Sequence, residues 1–399
     1  MRILYYDWDD FNGEDCRDAM RRLGHEVDCI KCTSKSYDLT PELDQRFREV
    51  LFKVPLGQNN SGTCYYDLVF SFDYFPNVSE VCQKYEIPYI SWVFDCPHYT
   101  LHSHTTSNSV NHIFLFDKSL EKEMQDKGID TVRHSTLAVN AIRLKDMCDK
   151  LDSETDGRII YEHDVCFLGS LYDNEYNFYD QINYLPPELK GYIDAVIVAQ
   201  ERVFGMDFFT NPEIVNQEHI KRLGEYVQFE KTGKYDLDYN KILLDILRKK
   251  VTVNERRNIL AKMGKYFDTV LYSDPDAKPI EGVCNLGIAD YMTRMPRVFH
   301  RSKVNLNITL RSIISGIPLR VVDILAAGGF LLTNYQEEIA ERFVDGEDLV
   351  IAYTPEEMVE KTAYYLDHEE ERQQIARNGQ KKVFENFAYT KLLPEILKL

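Results

Sequence analysis

KVNLNITLRSIISGIPLRVVDILAAGGFLLTN, residues 303–334, is the stretch that decides the fold. KVNLNIT (303–309) and FLLTN (330–334) read as short buried strands. LRVVDILAA between them reads as a helix, stopped by Gly328-Gly329. Strand, polar loop, helix, strand is the unit from which parallel sheets are built. The helix is apolar at Val321, Val322, Ile324 and Leu325, yet it carries Arg320 and Asp323. A charge in such a segment is costly unless it is paired or faces something polar. Residues three apart share one stripe, on which small Ala327 comes next, so two readings stand. One is an ion pair worth a few tenths of a kcal/mol. The other is a stripe turned toward a cavity. In that reading the loop LRSIISGIP offers backbone N–H groups, and the helix adds its positive end. Arg311 and Arg320 supply the charge a pyrophosphate needs, and Ser312, Ser315 and Gly316 let the backbone approach. Asp323, one turn on, is placed to accept two hydrogen bonds from a ribose diol.

Outward from this unit the same rhythm repeats. RILYYD, HEVDCIKC, YYDLVFSFD, IPYISWVFD, HIFLFD and TVRHSTLAV alternate with helical stretches over the first third of the chain. Residues 141–164 are highly charged with few core positions, which places a boundary there. VCFLGSL opens a second α/β unit, and a long helical region follows over 172–265. FDTVLYS and DLVIAY add strands, TPEEMVEKTAYYLDH carries a capping box, and TKLLPEILKL is a last helix. The expected architecture is α/β, with two Rossmann-like doubly wound domains facing across a cleft. These are an N-terminal domain at 1–150 and a C-terminal domain at 151–385. A last helix at 386–399 is the candidate to cross back to the N-terminal domain.

The composition agrees. A chain of 399 residues is too long for one ordinary core, and 44% hydrophobic with 28% charged residues is globular. The formal net charge of −18 repels nucleic acid and anionic membranes, so an anionic ligand must be held locally. No uninterrupted apolar run approaches the ~18 residues of a membrane span, and the start lacks a signal-peptide pattern. Nine scattered cysteines fit reduced thiols, and the expected location is cytoplasmic. Cys29 and Cys32 have C-x-x-C spacing inside an expected strand and read as packing residues.

Other stretches offer chemistry. DCPHYTLHSHTTSNSVNH leaves the carboxyl end of a central strand. Asp95 or His98 there could position or deprotonate a substrate hydroxyl; His102 and His104 read as ordinary loop residues. A metal site is the alternative for this loop, since Asp, Cys and His are all ligands. The triplets Asp7-Trp8-Asp9, Asp236-Leu237-Asp238 and Asp274-Pro275-Asp276 resemble cation-holding pairs, but an Asp-rich chain yields them by chance. Gly169-Ser170, after VCFL, suits a turn under a ligand's phosphates or an ordinary strand-end turn, and Tyr291 and Met292 could flank a base. Asn307 and Thr309, ending KVNLNIT, are counted with this phosphate-binding side. No metal is expected.

MPRVFHRSKVNLNITLRSIISGIPLRVVDILAAGGFL, with GEDLVIAYTPEEMVEKTAYYL and IARNGQKKVFENF, resembles the donor-binding half of CgeB-like glycosyltransferases, which have the GT-B fold. YYDLVFSFDYFPNVSEVC, IPYISWVFDCP, HIFLFD and STLAVN resemble that family's companion domain. The resemblance implies a nucleoside-diphosphate sugar on the C-terminal domain and an acceptor hydroxyl on the N-terminal one. The acceptor is a carbohydrate, a protein or a small molecule, and no further cofactor is implied. The family's ribose-binding acid is most often Glu, where this chain has Asp323. Of the wider pattern of two acids eight apart, position 315 holds Ser315. The expectation is a metal-independent glycosyltransferase. Its rivals are a nucleotide-sugar epimerase, a phosphorylase, or a binding protein without turnover.

Overall fold

The computed structural model describes residues 1–31, 37–53, 63–228 and 238–398. The chain forms two compact units. Met1–Asn140 and the segment from Ala388 make the first, and Ala141–Gln228 with Tyr239–Phe387 makes the second. The boundaries expected at 150 and 385 compare with 140 and 387 here.

The first unit runs β1 (Arg2–Asp7), α1 (Gly13–Arg22), β2 (Glu26–Lys31), α2 (Pro41–Phe52), β3 (Leu68–Phe72), α3 (Pro76–Tyr85), β4 (Tyr89–Val93), β5 (Asn111–Leu115), α4 (Lys118–Asp126) and β6 (Val132–His134). Its sheet has the order β2-β1-β3-β4-β5-β6, and every pair is parallel. Strands β3 and β4 are buried along their whole length, as both faces of a doubly wound sheet require. One face packs Leu4, Tyr6, Val69 and Tyr89, and the other Tyr5, Phe70, Phe72 and Trp92. Strand β2 is an edge strand with only Ile30 buried, so Cys29 is exposed and is not the packing residue expected. Cys32 lies outside the described residues.

The second unit opens with α5 (Ala141–Ser153), then β7 (His163–Leu168), α6 (Pro187–Gln200), α7 (Gln217–Leu223) and α8 (Tyr239–Tyr266). It continues with β8 (Thr269–Tyr272), β9 (Val283–Asn285), α9 (Arg294–His300), β10 (Ser302–Asn307), α10 (Leu319–Ala326), β11 (Leu331–Asn334), α11 (Glu337–Arg342), β12 (Val350–Ala352), α12 (Pro355–Asp367) and α13 (Glu369–Asn386). The last helix, α14 (Tyr389–Ile396), belongs to the first unit. The second sheet has the order β12-β11-β10-β7-β8-β9, again all parallel. The charged segment at 141–164 is not a bare linker: α5 buries Ala141, Leu144 and Cys148.

Strand β10 shows how its sequence fits. Val304 and Leu306 point to one face, into a core with Ile259, Leu260 and Met263 of α8 and Met358 of α12. Asn305 and Asn307 alternate to the other face, where a buried amide needs partners. Asn305 Nδ2 donates to Phe299 O at 2.9 Å, and Asn307 Nδ2 to the hydroxyls of Thr309 and Thr333, each at 2.9 Å. The paired glycines after α10 are both required. Gly328 has φ +72°, and a Cβ on Gly329 would lie 2.7 Å from Phe299 O.

Both sheets reverse their strand order once, between β1 and β3 in the first and between β7 and β10 in the second. Open α/β sheets bind ligands outside the carboxyl ends of the strands at such a point. In the second unit Gly169 and Thr309 follow the two strands at that point, whereas in the first unit Asp95 and His98 follow β4, one strand beyond it.

Candidate functional site

In the second unit the carboxyl ends of β7 and β10 lead into Gly169-Ser170 and into Ile308-Thr309. Two arginines converge there. Arg320, in the first turn of α10, donates from Nη1 to Leu168 O and lies 5.6 Å from the Phe299 ring. Its Nε is buried without a hydrogen-bond partner. Arg256, from α8, donates from Nε and Nη2 to Ile308 O at 3.1 and 2.7 Å, and from Nη1 to Ser170 O. Its guanidinium lies 5.3 Å from the Phe167 ring and 5.2 Å from the Tyr172 ring. Burial lowers the pKa of both arginines, and the charge of Arg320 presses that of Arg256 down further. The backbone partners of these two cations, Leu168 O, Ser170 O and Ile308 O, are neutral carbonyls. A Cβ on Gly169 would lie 4.0 Å from Arg320 Nη1, so that glycine sits directly beside the cation.

Asp323 is 2% exposed and accepts from Tyr291 Oη at 3.2 Å. The Tyr291 ring lies 5.6 Å from the Arg143 guanidinium, which itself donates to Met292 O at 2.9 Å. Arg320, Asp323 and Tyr291 are therefore brought together. The stripe does not continue as an open face. Ala327 is fully buried, with its carbonyl oxygen taken by His300 Nδ1 at 2.9 Å and Cys148 Sγ at 3.2 Å.

The other donor-side residues divide. Ser170 is exposed, and its Oγ accepts from Tyr172 N at 3.0 Å. Asn307 and Thr309 are buried; Thr309 N donates to Asn334 Oδ1 at 2.8 Å. Ser315 and Gly316 are buried in the loop before α10. Ser315 Oγ donates to Glu338 Oε1 at 3.0 Å, and Gly316 O accepts from Gln336. Arg311 is engaged elsewhere: its guanidinium grips both carboxylate oxygens of buried Glu255, and its backbone N–H donates to Thr252 Oγ1 at 2.9 Å. Burial pushes the Glu255 carboxyl up, and Arg311 pulls it back.

In the first unit, Asp95 and His98 follow β4 and meet Asp73, which follows β3. One ligand atom from each of the three lies within 4.8 Å of the others. Asp73 is 2% exposed and has φ +56°; its Oδ1 accepts from Phe94 N and Asp95 N, both at 3.1 Å. Burial raises the Asp73 carboxyl to about 7. Burial, then repulsion from Asp73, raises Asp95 to about 6, although Asp95 as a whole residue is exposed. His98 Nε2 is held by Tyr74 N at 3.0 Å and Thr100 Oγ1 at 2.8 Å, so Nδ1 is the atom nearest Asp73, at 3.8 Å. Burial lowers the His98 pKa. His104 is exposed.

The acidic triplets are otherwise occupied. Asp7 pairs with Arg17 at 3.5 Å and Asp9 with Lys31 at 2.7 Å, while Asp274 Oδ1 accepts from Asp276 N at 2.9 Å. Asp236 and Leu237 lie outside the described residues. Sequence reasoning missed Arg256 and Asp73. The signal for Arg256 was a stripe on α8: Thr252, Glu255, Arg256 and Ile259 follow the spacing of a buried face. Asp73 had only its place at the end of a buried strand.

The sequence model of a glycosyl transferase-like family matches residues 248–398. No curated protein matches the sequence. Among solved structures, the fold is similar to that of a DNA-modifying β-glucosyltransferase studied with and without its substrate uridine diphosphoglucose. The TM-score is 0.51 at 10% identity, covering 100% of both chains. It is also similar to sucrose-phosphate synthase from Thermosynechococcus elongatus, with a TM-score of 0.50 at 9% identity, covering 99% of this chain and 97% of that one. No helix among the described residues is long and apolar enough to cross a membrane. With its two parallel six-stranded sheets, each flanked by helices, the chain has the GT-B fold.

Proposed function

We propose that this chain is a glycosyltransferase of the CgeB-like group, moving a sugar from a nucleoside-diphosphate sugar to an acceptor hydroxyl. The observation that carries the reading is the pair of guanidiniums, buried Arg256 and half-buried Arg320, at the switch point of the second sheet. Three arginines and two acids, Glu255 and Asp323, meet around this end of the sheet, and Glu255 is already taken by Arg311. A diphosphate there compensates charge that the carbonyls cannot.

In this reading the bond from the sugar's anomeric carbon to the diphosphate breaks as the bond to the acceptor oxygen forms. Arg320 and Arg256 stabilise the charge growing on the leaving diphosphate, which is electrostatic catalysis by groups already in place. Asp323, oriented by Tyr291, accepts from the donor ribose. In the first unit Asp95 is the candidate base for the acceptor, since its raised pKa suits proton uptake near neutral pH. Arg311 holds the loop to α8 rather than touching the donor. Arginines take the place of a divalent cation, so EDTA is expected to leave turnover unchanged.

The test is a thermal-shift panel of UDP-, GDP-, dTDP- and CMP-sugars, followed by a transfer assay. One donor class should stabilise the protein. Arg320→Gln should slow transfer at least ~100-fold at saturating donor while remaining folded. Equal turnover by Arg320→Gln would refute the assigned role. Stabilisation without turnover on any acceptor would favour a binding protein, and a requirement for inorganic phosphate would favour a phosphorylase.

A further inference from the structure

A second cavity, of about 480 Å³, lies in the same unit by the amino-terminal start of β10 at Ser302, the opposite end of the sheet from Arg320. Its lining includes Arg158, Arg372 and Arg377, together with Asp149, Asp152 and Glu369. The charges do not cancel pairwise. Asp152 is committed to His300 Nε2 at 2.8 Å, Asp149 to Lys145, and Glu369 accepts from Gln373 at 3.0 Å. Among the described residues, none of the three arginines has a carboxylate at ion-pair distance. In a chain of net charge −18, three arginines without acidic partners around one cavity are unusual.

Arg372 makes the case more specific. It is 1% exposed, and its Nη1 donates to Tyr365 O at 2.6 Å, in the last turn of α12. That contact explains one edge of the guanidinium, since a cation suits a helix C-terminus. The other edge, Nε and Nη2, is buried with no hydrogen-bond partner, and the guanidinium carbon lies 5.2 Å from the centre of the Tyr161 ring. This edge is the fork that matches a carboxylate or phosphate. A buried donor left unmatched is costly, and a buried cation without a counter-charge is more so.

We propose that this cavity binds a small organic phosphate. Arg158 and Arg377, both exposed, would engage the phosphate, and Arg372 would supply fixed positive charge from the cavity wall. The volume exceeds that of inorganic phosphate and falls within the range of small-molecule sites. The proposal rests on this geometry alone and does not depend on the donor reading.

The test is calorimetric titration of the full chain with glucose 6-phosphate, with sulfate as a control for adventitious anion binding. Saturable binding is expected, weakened ~10-fold or more in the Arg158→Gln/Arg377→Gln double variant, whose changes are at the surface and should not disturb folding. Arg320→Gln should bind as the unaltered chain does. No saturable binding up to ~10 mM would overturn the proposal. So would an affinity unchanged by the double variant, an equal affinity for sulfate, or loss of binding in Arg320→Gln, which would place the ligand at the donor end.

Discussion

Asp73 is the residue at which burial and charge conflict most sharply. Its carboxyl is buried beside Asp95 and His98, and burial raises it from 3.8 to about 7. Such an acid binds its proton more tightly folded than unfolded. Stability attributable to it therefore falls as pH rises from about 4 to about 7. Asp73→Asn keeps an oxygen to accept from the backbone N–H groups of Phe94 and Asp95 but carries no charge. Urea unfolding should show the variant less pH-dependent across that window, and more stable than the parent at pH 8 by an amount on the order of 3 kcal/mol. A parent and variant with the same pH profile would mean that Asp73 is already neutralised by a partner, such as a bound cation. Asp95, its neighbour, was readable from sequence because it ends a strand before a loop rich in polar side chains. Asp73 was not, because what distinguishes it is burial against an acid from the next strand.

At the scale of elements, α8 and the loop after β10 show where sequence and structure part. The strand-loop-helix-strand unit around KVNLNIT was legible, since apolar runs, a double glycine and a helix period all agreed. Strand β9 was not, because its three residues are partly exposed and carry no pattern. The charge-rich segment NERRN of α8 looks solvated when read linearly, yet Glu255 and Arg256 are both buried. Glu255 holds Arg311, which the sequence offered as a phosphate ligand. The two roles predict different outcomes. If the pair is structural, Arg311→Ala strands a buried carboxylate and should cost about 3–5 kcal/mol in urea unfolding. Adding Glu255→Gln should then recover a good part of that loss, since no buried unpaired charge remains. A loss below ~1 kcal/mol in the single variant would return Arg311 to the ligand set.

For the whole molecule, the question is which unit the end of the chain stabilises. The family match runs to residue 398 as though 248–398 were continuous, but the chain leaves the second unit at Phe387. Ala388 pairs with Val139, Tyr389 N donates to Val139 O at 3.1 Å, and Tyr389 Oη accepts from Asn12 Nδ2 at 3.1 Å. Tyr389, Leu393 and Ile396 are buried against the first sheet's Phe70, Phe72 and Trp92, with the Trp92 and Tyr389 rings edge-on at 5.9 Å. A last helix crossing back to the N-terminal domain was among the expectations, but which residues it would cover could not be read from its own sequence. A cavity made inside that contact should be felt far away in sequence and near in space. Leu393→Ala should cost about 2–5 kcal/mol, and the cost should fall on one unit. Hydrogen exchange should quicken in β3 and β4 while β10 and β11 keep their protection, because the second core contains no part of α14. Equal quickening in both sheets would instead mean that the two units unfold as one cooperative body, and that the C-terminal helix stabilises the molecule rather than the first unit.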